Sequence, residues 1–158
     1  MSHTRLPAVA LQLWTIREEC DRDLEHALRA VGAQGYDGVE LFQLHGHAVA
    51  QVRVWLDSAN LAAAGRHAGL ELIEKELQPL AEELRVLGTD RLAISGVDPQ
   101  ELDRADEVVE RVAEAARAAR DEGIRLGFHN HWTEPAPREE GPSFLDLLRR
   151  LPDDLLWL

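Results

Sequence analysis

Lysine is almost missing from this chain: Lys75 is the only one, and the 17 basic residues face 29 acidic ones for a formal net charge of −12. That balance excludes an extended nucleic-acid surface, because affinity for phosphate backbones comes from clustered Lys and Arg that release counterions. Cysteine is just as scarce. Cys20 stands alone, so no intrachain disulfide can form, and its neighbours Glu18, Glu19, Asp21 and Asp23 disfavour a thiolate. It reads as a bystander. No apolar run approaches the roughly 20 residues of a membrane helix. Residues 1–7 also lack the apolar core of a secretory signal, so a cytoplasmic protein with no membrane partner is expected.

Glycine, too, is absent from one telling place. The turn after the first apolar segment, Thr15-Ile16-Arg17-Glu18-Glu19, has none of the glycines that a dinucleotide or phosphate loop places there. What the chain does contain, 45% hydrophobic and 29% charged residues, is the make-up of a globular domain able to bury a core.

Along the sequence, strand and helix signals alternate, with a glycine at or near most helix ends. Val9 to Trp14 is the first strand candidate, followed by a helix from Asp21 or Asp23 to Gly32 or Gly35. Gly38 to Phe42 is the second strand, Ala48 to Ala59 the second helix and Leu61 to His67 the third strand. Leu70 to Leu87 reads as helical, interrupted near Pro79, with Leu77, Leu80, Leu84 and Leu87 as its core stripe. Arg91 to Ser95 is the fourth strand, Asp98-Pro99 opens a long helix to Gly123, and Ile124 to His129 is the fifth strand. Ser143 caps a short helix, and Leu155 to Leu158 resembles the start of a sixth strand. On the long helix, Arg111, Arg117 and Arg120 among Glu107, Glu110 and Glu114 read as a solvated face.

Repeating βα units imply a parallel sheet covered by helices on both faces, as a doubly wound sheet or an eight-stranded barrel. Polar residues recur at the ends of the strands, at Gln12, Glu40, His67, Ser95 and His129. A barrel gathers such ends into one mouth. The expected class is therefore α/β, a TIM (β/α)8-type barrel. Because a whole barrel takes about 250 residues, residues 1–158 are expected to be one incomplete unit of the first five to six βα repeats.

The richest stretch is 123–134, an apolar run that ends in His129, Asn130, His131 and Glu134. Neutral imidazoles and a carboxylate are the donors that bind zinc, manganese or cobalt, so His129, His131 and Glu134 are the candidate metal ligands. On a strand, His129 and His131 share a face. The plain alternative is that the histidines cap the strand by hydrogen bonds while Glu134 is solvated. Glu40 and His67, at the second and third strand ends, are the candidate catalytic groups, against an ion pair for Glu40 and an ordinary polar contact for His67. Gln12, Trp14 and Arg17 surround the first strand end as candidate substrate-binding residues, with core packing the alternative for Trp14. His45 and His47, flanking Gly46, are expected to be exposed to solvent.

Taken in order, residues 11–17 (Leu-Gln-Leu-Trp-Thr-Ile-Arg), 35–41 (Gly-Tyr-Asp-Gly-Val-Glu-Leu), 65–70 (Gly-Arg-His-Ala-Gly-Leu), 87–91 (Leu-Gly-Thr-Asp-Arg) and 127–131 (Gly-Phe-His-Asn-His) resemble the sugar phosphate isomerase/epimerase family of xylose isomerase-like TIM barrels. The resemblance covers nearly the whole chain. It implies a divalent-metal enzyme (Mn, Zn, Co or Mg) acting on a sugar or polyol by proton abstraction next to a carbonyl, with the metal stabilising an enediolate. In most of that family two Glu, an Asp and a His on strand ends five to eight bind the metal, and this chain carries at most the first. A glutamate is usual where His129 stands, so Glu134 or an imidazole takes its place.

The same scaffold runs dehydratases, by expelling a β-hydroxyl from the enediolate. Its endonuclease branch needs a basic groove, which the net charge of −12 opposes. A different class of function is a non-catalytic binding or assembly module, because an open barrel leaves strand edges that homo-oligomerisation or another chain would cover.

Overall fold

A computed structural model of the chain describes residues 7–139, 141–152 and 156. Its elements are β1 (Ala10–Gln12), α1 (Arg17–Arg22), α2 (Leu24–Ala33), β2 (Gly38–Leu41), α3 (Val49–Ser58), β3 (Ala62–Ala68), α4 (Leu70–Leu87), β4 (Arg91–Ile94), α5 (Ala105–Asp121), β5 (Arg125–Phe128) and α6 (Phe144–Leu148). The strands form one parallel sheet in the order β1-β2-β3-β4-β5, each next to its sequence neighbour. That order is how a barrel wall begins. The expected sixth strand at Leu155 to Leu158 lies, apart from Leu156, outside the described residues.

The chain divides into two compact units, Met1–Arg66 with Val86–Thr89, and His67–Arg85 with Asp90–Leu158. In the first, β1 and β2 pair from Ala10↔Gly38 to Gln12↔Glu40, and β2 meets β3 from Gly38↔Ala62 to Leu41↔Arg66 with a register shift between Val39 and Glu40. Leu13, Leu24, Leu28, Val39, Leu41, Val52 and Leu56 fill its core. Gly38 is needed there because a Cβ on it would sit 2.7 Å from the Ala62 carbonyl oxygen.

Two expectations for this unit are corrected. The first strand is shorter than Val9 to Trp14: the Trp14 N–H donates to Gln12 Oε1 at 2.6 Å, and Leu13–Ile16 turns into a 3-10 helix. The helix expected from Asp21 or Asp23 starts earlier, at Arg17, and is broken at Asp23, whose extended backbone (φ −163°, ψ 95°) ends α1 while its side chain caps α2.

In the second unit, β4 and β5 pair from Arg91↔Arg125 to Ile94↔Phe128, with Arg125 held by Asp90 through two hydrogen bonds of 2.8 Å. Leu80, Leu84, Leu92, Ile94, Val108, Val112, Leu126, Phe128 and Phe144 form its core. The break in α4 falls at Glu76 (φ −132°, ψ 36°), three residues before Pro79. The proline then stands in the first turn of the resumed helix, where its missing N–H is harmless. Asp98 caps as expected, but Pro99–Arg104 winds as a 3-10 helix before α5 begins. Arg111 also departs from a solvated face. It reaches Glu74 through two bonds of 2.8 and 2.9 Å and Glu101 at 2.9 Å, which pushes its already high pKa further up through the Glu74 hydrogen bonds. Ser143 caps α6 through the Asp146 N–H.

Candidate active site

Within the second unit, the polar group at the strand ends begins with His67, buried at 4% exposure in the last residues of β3. Its ring centroid lies 5.0 Å from that of His129. His129 continues the ladder just past β5, its N–H donating to the Ile94 carbonyl at 2.9 Å. Its ring in turn meets His131 edge to face at 4.9 Å. Three imidazoles thus follow one another, ending at a carboxylate.

That carboxylate is not solvated. Glu134 has no exposed surface, because Oε2 accepts the His131 N–H at 2.9 Å and the Thr133 hydroxyl at 2.8 Å, while its own carbonyl accepts the Leu145 N–H at 3.1 Å. Burial pushes its pKa up, but the hydrogen bonds from Thr133, the Glu134 backbone and His131 outweigh burial and hold the carboxyl below the ordinary range. Oε1 is buried, lacks a hydrogen-bond partner and faces His131 Nδ1 at 3.5 Å. This is too long for a good hydrogen bond and close enough for attraction when the ring is protonated.

The position of the ring depends on Gly96, at the end of β4, which sequence reasoning missed. A Cβ on Gly96 would fall 2.7 Å from His131 Cε1, 2.8 Å from Nδ1 and 3.5 Å from Glu134 Oε1. Its φ of +103° is also one that side chains rarely adopt. The dipeptide Ser95-Gly96 directly after an apolar strand was the available signal.

Among the described residues no three His, Cys, Asp or Glu side chains converge as a metal-binding group. His129, His131 and Glu134 are neighbours, and His131 and Glu134 set Nδ1 and Oε1 3.5 Å apart. The spacing of those two matches that of two ligands on one ion. Ligands about 2.1 Å from a tetrahedral ion stand about 3.4 Å apart, and Nδ1 and the unpartnered Oε1 are separated by 3.5 Å.

In the first unit, Gln12 and Glu40 are register partners on β1 and β2. Gln12 Oε1 is committed to the Trp14 N–H, and Glu40 is half-buried. Trp14 is 55% exposed and is not core. It stands edge to face on Phe42 at 5.2 Å, and the Arg17 guanidinium lies 5.2 Å above its ring. His47 is exposed as expected, with its ring against Trp55, whereas the His45 side chain is only 6% exposed and overturns the expectation of a solvated residue. Phe42 and Asp21 enclose its ring.

No protein-family model and no curated protein matches the sequence. Solved structures do. A sugar phosphate isomerase/epimerase from Parabacteroides distasonis ATCC 8503 superposes with a TM-score of 0.77 at 18% identity, over 99% of this chain and 65% of that one. The chain has the xylose isomerase-like TIM-barrel fold. The chain spans just under two thirds of that neighbour's length. An AP endonuclease of family 2 from Brucella melitensis is similar over 96% of this chain and 67% of its own length (TM-score 0.69, 16% identity). An IolI protein with a bound zinc atom matches over 80% and 53% (TM-score 0.56, 16% identity). Among the described residues, no helix is long and apolar enough to cross a membrane.

Proposed function

We propose that this barrel is a divalent-metal isomerase or epimerase of a sugar or polyol that works by proton abstraction next to a carbonyl. The observation that carries the reading is the pair at the end of β5: His131 Nδ1 beside a buried Glu134 Oε1 that no hydrogen bond satisfies, 3.5 Å apart. The zinc in the similar IolI structure and the isomerase/epimerase neighbour support it.

When bound, a divalent cation would polarise a substrate carbonyl and stabilise negative charge on its oxygen. His131 and Glu134 would hold it, with His129 as the third candidate. Glu40 would take the proton from the carbon next to the carbonyl and return it, and His67 would hydrogen-bond the oxygen on which charge develops. Gln12, Trp14 and Arg17 would hold the substrate, the indole supplying an apolar face for a sugar ring. A small-molecule partner also suits the net charge of −12, which opposes the phosphate backbone that an endonuclease must hold.

The test is deuterium incorporation into D-fructose, D-tagatose and D-allulose by the full natural chain in D2O with added Mn2+ or Zn2+. The reading predicts label at a carbon adjacent to the carbonyl of at least one ketose, lost in Glu40→Gln. Absence of label in all three sugars with both metals, or label retained in Glu40→Gln, contradicts it.

A further inference from the structure

One histidine in the first unit is built unlike the rest. His45 follows β2 in a left-handed conformation (φ +50°), next to Gly46 at φ +77°. Its ring stands edge to face on Phe42 at 5.1 Å, and its side chain is 6% exposed. Nδ1 lies 2.9 Å from Asp21 Oδ1. The Gln43 amide nitrogen is 3.5 Å from that same oxygen and 3.4 Å from Nδ1.

A carboxylate only accepts, so the proton between Asp21 and His45 belongs to Nδ1. In the neutral ring Nε2 then carries a lone pair. That nitrogen is buried with no hydrogen-bond partner. Buried polar atoms are rarely left so, and an exception marks strain, a functional role or a place for a water, ion or ligand. A carboxylate fixing one imidazole nitrogen while the other is left as an acceptor is the arrangement by which proteins orient a histidine toward a ligand.

We propose that His45 Nε2, oriented by Asp21, is a binding site for a hydroxyl group of the polyol substrate, with Asp21 as the positioning residue. The proposal rests on the sugar or polyol reading above. A neutral donor suits that position, because the ring sits against Phe42 and a hydroxyl delivers one hydrogen without adding charge. The neighbouring backbone at Gly46 borders open space, since a Cβ there would meet nothing within 4 Å.

The experiment uses the full natural chain labelled with 15N-histidine and long-range 1H–15N spectra, with myo-inositol as the probe and His45→Gln to assign the signal. The free protein should show His45 protonated at Nδ1 and bare at Nε2. Saturating myo-inositol should move the Nε2 resonance toward the hydrogen-bonded position, and Asp21→Asn should weaken its apparent Kd about tenfold. Protonation at Nε2 in the free protein overturns the proposal. So does a titration in which His129 or His131 responds and His45 does not, leaving the polyol reading intact. A titration that moves no histidine overturns this proposal, and deuterium incorporation into the ketoses decides the reading it rests on.

Discussion

The imidazole of His131 rests on the backbone of Gly96, so closely that a methyl group there would stand 2.7 Å from its Cε1. Gly123 provides the control, because it also has positive φ (+76°) but a Cβ on it would meet nothing within 4 Å. Gly123→Ala should therefore cost only backbone strain, about 1–2 kcal/mol. Gly96→Ala should cost about 1 kcal/mol more as the ring is forced off its place. Urea unfolding of the two variants measures the difference, and equal costs would mean that His131 does not need the gap.

Glu134 has two separable tasks. Glu134→Ala leaves the His131 N–H and the Thr133 hydroxyl without their acceptor and should destabilise the chain by about 2–3 kcal/mol. Glu134→Gln keeps an oxygen for both donors and turns an amide nitrogen toward His131 Nδ1, so its stability should stay within about 1 kcal/mol of the parent. If Oε1 is a metal ligand, the Gln variant should nonetheless lose zinc affinity as fully as the Ala variant. Isothermal titration with zinc separates the two.

Cys20 is 1% exposed, and burial, then Asp21 and Glu19, push its thiol from 9.0 up to about 11. It should resist iodoacetamide at pH 8 until the chain unfolds. A raised folded pKa means the thiol's stability contribution is fully present below pH 9.0 and is lost as pH rises through about 11. The parent should thus lose about 2 kcal/mol over that interval relative to Cys20→Ala, as read from denaturation at each pH.

Trp14 and Phe144 are both large aromatics, with opposite expected costs. Phe144 is 1% exposed in the core of its unit, so Phe144→Ala should cost about 3–5 kcal/mol. Trp14→Ala forfeits one edge-to-face pair and one cation–π contact, together about 1–2 kcal/mol. If Trp14 faces substrate, its loss should raise KM while the melting temperature hardly moves.

Much of this fold was legible in the sequence because its signals are local. Asp23, Asp98 and Ser143 cap helices as their residue types suggest, and Gly35, Gly88 and Gly123 take the positive φ expected after a helix. The misreadings arose where a side chain overrode the local pattern. Gln12 bends the chain away from the first strand by accepting from Trp14, and Arg111 leaves its helix face for Glu74 and Glu101. The run from His129 to Glu134 was legible as a polar cluster. The inward turn of Glu134 was not, because it depends on Thr133, on the His131 backbone and on a gap at Gly96, 38 residues upstream. His45 looked like an exposed loop residue because nothing in Leu-His-Gly-His signals a carboxylate 24 residues earlier.

The most direct test of the account is the metal content of the full natural chain and of its His129→Ala, His131→Ala, Glu134→Ala triple variant, purified alike and checked for folding by circular dichroism. The account predicts a stoichiometric divalent metal in the parent and none in the folded variant. Manganese or zinc bound unchanged after all three substitutions would contradict it.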